Sequence, residues 1–222
     1  MNFNEIFQAY YALYRADNDI PASGDTEYIV GMRMANEAIN YWANYDGTYW
    51  NQLWSTNQIG GTAGQTIVAG TNTYDLPDDF AEIGGYIQLI DANGSVRHRI
   101  PRLDPQEVQF RVQDSDVAYI ADGQLVFNKM PNSDNAGMII DYPYYRTPTT
   151  FEKGTDTTEM ANPYFIVHRM LAQQFRASRN PYYQSALRDA EDAVRKMQLD
   201  NNSGSWDNPP QMVDNSGGGF GI

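Results

Sequence analysis

The chain has no cysteine. That excludes a disulfide scaffold, a thiolate zinc site, an iron–sulfur cluster and a cysteine nucleophile, and it leaves the redox compartment unmarked. Histidine is almost as scarce: His98 and His168 are the only two. Neither has a second histidine at a metal-ligand spacing, so both are read as structural. No stretch approaches the roughly 20 apolar residues that a membrane-spanning helix needs. The opening Met1-Asn2-Phe3-Asn4-Glu5 has neither the basic start nor the apolar centre of a signal peptide. The expectation is a soluble protein, cytoplasmic when made, with no membrane association. Positive charge is also in deficit, with 15 Lys+Arg against 28 Asp+Glu and a net charge of −13. A protein that grips nucleic acid through its phosphates needs the opposite balance.

What is abundant is aromatic surface. Sixteen Tyr, 9 Phe and 4 Trp make up 13% of the 222 residues. Tyr and Trp combine an apolar body with a polar tip, and an excess of them suits broad protein–protein contacts. The acidic charge is uneven. It concentrates in residues 1–155 and 200–222, whereas residues 156–199 are close to neutral. A chain of this length holds one large domain or two small ones and can bury a core without metals or disulfides.

Hydrophobic spacing divides the chain into four parts. In residues 1–57, Ile6, Phe7, Tyr10, Tyr11 and Tyr14 mark one face of a first helix. A second helix is predicted from Thr26 to about Trp54, with Ile29, Met32, Ala35, Ile39, Trp42 and Ala43 in register and a break or kink at Asp46-Gly47. Residues 58–155 read as an inserted small β-domain, a sandwich or open barrel, because Gly, Pro, Asn and Asp cut the chain into short β-type runs. These are Thr66–Val68, Thr73–Leu76, Gly85–Ile90, Val117–Ile120, Gln124–Phe127 and Met138–Tyr142, with hairpin turns at Asp122-Gly123 and Asp91–Gly94 and a short helix over Asp104–Val108. In residues 156–199, two stripes form a helical hairpin about Arg179-Asn180-Pro181: Ile166, Val167, Met170, Leu171 and Phe175, then Tyr183, Ala186, Leu187, Ala190, Val194 and Met197. The fold class is α+β, a helical bundle with an inserted β-domain. Residues 200–222 scatter Trp206, Met212 and Phe220 among Gly, Ser, Asn and Pro, the composition of an extended arm that orders on a partner.

No enzyme motif emerges. The acidic pairs Asp78-Asp79 and Glu191-Asp192 are read as solvated surface groups. The stretch Gly60–Thr66 lacks the lysine of a phosphate-binding loop and the strand-to-helix setting of a dinucleotide fingerprint. The expectation is no catalytic residue, no metal and no cofactor. One basic cluster, Arg97-His98-Arg99 with Arg102, interrupts the acidic part of the chain. Four such residues amid that acidity make a poor phosphate track, so the cluster is read as an ion-pairing patch for an acidic neighbour.

The run Tyr74-Asp75-Leu76-Pro77-Asp78-Asp79-Phe80 has a local logic. Tyr74 and Leu76 close a strand, Pro77 ends pairing for want of an N–H, an aspartate caps the turn, and Phe80 folds back as an anchor. The pattern Tyr-x-Leu-Pro-x-Asp-Phe resembles the start of the β-region in the head–tail adaptor (connector, head-completion) proteins of tailed bacteriophages. The order of the other pieces is similar to that family: Ala38–Trp42 in an N-terminal helical pair, Leu125–Pro131 as a strand ending in proline, Ile139–Tyr145 as a tyrosine-bearing strand, and Asn162-Pro163-Tyr164 leading into a closing helical hairpin.

The resemblance implies a structural virion protein at the head–tail interface, present in the host cytoplasm during assembly. Its expected partners are the portal protein, tail or nozzle proteins, and further copies of itself in a ring, commonly a dodecamer. DNA would pass through the channel without specific binding, and an acidic lumen would repel its backbone. Arg97, Arg99, Arg102, Trp206, Met212 and Phe220 are then candidate contacts to portal or neighbour. The alternative is a β-sandwich module binding carbohydrate or protein through its aromatic surface. An acidic, metal-dependent hydrolase is a third reading, with no motif behind it.

Overall fold

Asn2 and Glu5 cap each other's backbone N–H at 2.9 Å and so start the first helix, α1 (Phe3–Arg15). The computed structural model describes residues 1–16, 19–56, 65–110 and 115–206, with the side chains of the last helix described through Ser203. The chain separates into two units. One holds the chain up to Trp50 and from Thr149 onward, and the other holds Asn51–Pro148. Helix and strand thus fall in an α+β arrangement.

The first unit is helical. With α1 it contains α2 (Thr26–Ala43), α4 (Tyr164–Ala177) and α5 (Tyr183–Trp206). Helix α4 packs on α5, α2 and α1. Its core is unusually aromatic. Phe7 is ringed by Phe3, Tyr10, Tyr11 and Tyr28, with ring centroids 5.0–5.8 Å apart. Trp50 Nε1 donates to the carbonyl of Trp42 at 2.8 Å while the two indoles lie 5.2 Å apart.

Two details of α2 differ from the sequence reading. Its buried face runs through Tyr28, Gly31, Met34, Ala35, Ala38, Ile39 and Trp42, leaving Ile29 58% exposed. Tyr28, wedged edge-on against Phe3 and Phe7, sets that rotation. The helix also stops at Ala43 rather than near Trp54. Asp46 and Gly47 both take left-handed backbone (φ 49° and 63°), which an α-helix cannot continue through. Trp54 then begins a strand. At the other end, α5 runs to Trp206, past the expected limit at 199. Asn201 is buried and donates to the carbonyl of Tyr49 at 2.9 Å, and Gln198 reaches Thr48 Oγ1 at 2.7 Å, so the added turn is anchored. The corner between α4 and α5 places Arg179 in the left-handed region (φ 54°), and Asn180 Oδ1 accepts the N–H of Tyr182.

Among the described residues, the second unit has nine short strands in three antiparallel sheets of three. One sheet has the order β1 (Trp54–Thr56), β9 (Pro143–Arg146), β3 (Phe80–Ile83). The second is β2 (Thr73–Asp75), β7 (Gln124–Phe127), β6 (Ala118–Ala121). The third is β5 (Val96–Ile100), β4 (Ile87–Ile90), β8 (Ile139–Asp141). They share a core that includes Ile67, Tyr74, Ile87, Leu125, Ile140 and Tyr144. Both expected hairpins are present. Asp122 and Gly123 have φ of 52° and 74°, the two positive values that a two-residue turn matched to strand twist requires. Asp91 closes the other by accepting the N–H groups of Asn93 and Ser95 at 2.9 Å. The short helix α3 covers Pro105–Val108.

Thr66–Val68 is only an isolated bridge to Ile139, because a turn over Val68–Thr71 with Gly70 at φ 80° bends the chain away. Of the run Met138–Tyr142, Ile139–Asp141 form β8. The chain leaves the third sheet at Tyr142 and enters the first as β9. Of the glycine-rich stretch Gly60–Thr66, the part before Gln65 lies outside the described residues.

Candidate functional site

The Tyr74–Phe80 segment turns out to be a lock between two sheets. Tyr74 is buried; its hydroxyl donates to the carbonyl of Thr71 at 3.0 Å and accepts the N–H of Val68 at 3.1 Å, while its ring meets Phe127 edge-on. Leu76 packs against the shared core. Pro77 opens a turn closed by the Phe80 N–H on its carbonyl at 3.0 Å. Asp78 is exposed, whereas Asp79 accepts the Tyr144 hydroxyl at 2.8 Å, and its carbonyl takes the Thr147 N–H at 2.7 Å. Phe80 stacks on Tyr144 at 5.8 Å. Burial and then the neighbouring Asp79 raise the Tyr144 hydroxyl above its ordinary pKa. Every motif residue except Asp78 therefore has an internal task.

Arg97, His98 and Arg99 of the basic cluster lie on β5, at the edge of its sheet, where they and Val96 are all exposed, while Arg102 follows the strand. The structure separates its members. Arg97 grips Asp91 through both Nε (2.7 Å) and Nη2 (2.6 Å). Those bonds, together with the Ser95 and Asn93 N–H groups, hold Asp91 below the usual carboxylate range, the Ser95 bond contributing most. Arg102 faces Glu82 at 3.3 Å and Asp104 at 3.8 Å. Arg99 makes no ion pair among the described residues.

Beside β5 lies a groove of about 270 Å³. Its floor includes Ile67, Leu89, Val117 and Phe127, all buried. Its rim carries Arg97, His98, Arg99 and Lys129, with a single carboxylate, Asp116, which Lys129 approaches at 3.3 Å. Met130, 52% exposed, and buried Pro131 form the far wall. Neither the groove nor its apolar floor was legible from sequence, since its walls come from segments well separated along the chain. Trp206 ends α5, while Met212 and Phe220 lie outside the described residues.

Among the described residues no group of three His, Cys, Asp or Glu side chains is placed to hold a metal ion. No helix among the described residues is long and apolar enough to cross a membrane. The geometry thus offers packing motifs, a charged edge strand and a small groove, which is the equipment of a binding surface.

Comparison with known proteins agrees. The family model described as SU10 adaptor protein matches residues 1–212. The chain belongs to the SU10 adaptor protein family. A search of curated proteins finds no match. This is a phage head–tail adaptor family, so the adaptor is a structural protein of a bacteriophage, works with other head and tail proteins, and has its place in the virion. Adaptors of this kind are typically not enzymes.

Proposed function

We propose that the adaptor assembles as a ring, a dodecamer in the arrangement common to such proteins, between the portal and the tail. It extends the DNA channel, and DNA passes through without specific binding. Tail or nozzle proteins dock on its far face. Membership of the adaptor family over residues 1–212 is the observation that carries this reading. Composition supports it: the net charge of −13 suits a lumen that repels phosphates. Around a closed ring, each copy meets its neighbours through two different surfaces. Exposed apolar side chains such as Ile29, Tyr86, Phe110 and Tyr182 supply contact area for that arrangement.

In this reading residues 1–57 and 156–199 form the ring body as a helical bundle, and the inserted β-domain of 58–155 faces a tail component or neighbour. The arm within 200–222 binds the portal or an adjacent copy. Because Asn201 belongs to the packed helix, the arm is best tested by truncation after Trp206. The experiment mixes the full chain with the portal ring of its own virus, followed by native mass measurement and electron microscopy. An added ring of defined stoichiometry is expected, weakened by the truncation. Absence of any association refutes the adaptor ring, and unchanged assembly without the arm refutes the arm's part in it.

A further inference from the structure

We infer that the groove beside β5 is the receptor for the C-terminal segment, residues 207–222, of a second copy of this chain. The second copy rests on the ring reading above; the groove itself does not. Three observations bear on the occupant. The first is size: about 270 Å³ lies below the range of pockets for drug-sized ligands and fits one or two side chains. The second is chemistry. The floor is aliphatic and aromatic, while the rim holds three permanent cations (Arg97, Arg99, Lys129) against one carboxylate, so the fitting partner has an apolar anchor next to an anion. In a chain with nearly twice as many acidic as basic residues such a rim is uncommon, and Arg99 enters it without an ion-pair partner among the described residues.

The third is the composition of the chain beyond Trp206. The run Asp207-Asn208-Pro209-Pro210-Gln211-Met212-Val213-Asp214 places two apolar side chains directly before an aspartate and contains no Lys or Arg. Met adapts to irregular apolar pockets. The adjacent prolines narrow the conformations lost on binding. Sixteen residues after Trp206 give a reach of up to about 55 Å when extended, enough to leave one copy and arrive at another. In the complementary arrangement, Met212 and Val213 enter the apolar floor, and Asp214 meets Arg99. Because β5 is an edge strand, its unpaired backbone groups are also available to an extended segment.

A fluorescently labelled synthetic peptide of residues 207–222 titrated with the full chain tests this. Saturable binding is expected, weakened about tenfold or more by Arg99→Glu in the protein or Met212→Asp in the peptide, retained by Arg99→Lys, and reduced by added salt. No saturation up to millimolar protein, or equal binding to the Arg99→Glu chain, overturns the groove and leaves Arg99 as a solubilising edge charge. The absence of native cysteine provides a second measurement. A full chain carrying Met130→Cys and Met212→Cys is oxidised, and disulfide-linked multimers are expected. A disulfide closed within one chain overturns the second-copy assignment. Peptide binding without a portal-bound ring counts against the ring reading and not against the groove.

Discussion

Gly31 is the position where two opposed effects can be weighed most directly. It lies in α2 against Phe7 of α1, and a Cβ there overlaps Phe7 Cε2 and sits 2.9 Å from Cδ2 and Cζ. Phe7 is 1% exposed and meets four other rings, so it can yield only by giving up those contacts for the cavity of about 140 Å³ that it lines with Gly31. Gly31→Ala gains about 1 kcal/mol from helix propensity. Forcing an extra carbon into a close-packed core costs about 1–3 kcal/mol, and the ring contacts that Phe7 must give up put this site at the upper end. The overlap wins, for a net loss of about 2 kcal/mol. At ~2–4 °C per kcal/mol for a chain of this size, the thermal midpoint should fall by about 4–8 °C. Circular dichroism during heating measures it, and the loss should appear in the transition of the helical unit. Phe7→Leu opens space, so the double variant should lose less than the sum of the two single changes. An unchanged or raised midpoint for Gly31→Ala refutes the close approach of the two helices.

Tyr144→Phe keeps the stack on Phe80 but removes the 2.8 Å bond to Asp79. A loss of about 1–3 kcal/mol in urea unfolding is expected for a hydrogen bond to a charged acceptor; no loss shows the lock to be idle. Burial pushes the Tyr142 hydroxyl up to about 12, and burial with the Glu27 contact does the same for Tyr11. A raised folded pKa gives stability that is complete below pH 10 and lost between about 10 and 12, so alkaline titration of stability should steepen there and flatten in Tyr142→Phe. Asp91 has the opposite sign. Its lowered folded pKa gives stability present above the ordinary carboxylate range and lost on acidification through the folded value. Asp91→Asn should therefore lower the midpoint of the β-unit at neutral pH, with the difference closing in strong acid; a constant difference contradicts the assignment.

How much of this was legible in the sequence depends on the distance over which each feature is decided. The stripes of α1, α4 and α5 and the Asp122-Gly123 turn are local, so periodicity and turn chemistry found them. The rotation of α2 escaped because a glycine and a tyrosine define its buried side, and neither stands out on an apolar count. Strand β3 escaped because it follows a proline-bearing turn, and the expected strand Ile139–Tyr145 is divided into β8 and β9 by a one-residue break that its composition does not mark. The same distinction governs the candidate surface. Arg97, Arg99 and Arg102 look equivalent in a row. The Asp91 hairpin then engages the first across six residues, and Glu82 engages the third across twenty. What sets Arg99 apart is a negative property, the lack of an ion-pair partner among the described residues. It becomes meaningful only beside the apolar floor that Leu89, Val117 and Phe127 bring from three separate segments. A charge with no local duty at the mouth of an apolar groove is therefore the part of this molecule to perturb first. Its loss costs the fold little and leaves binding as the property most exposed to change.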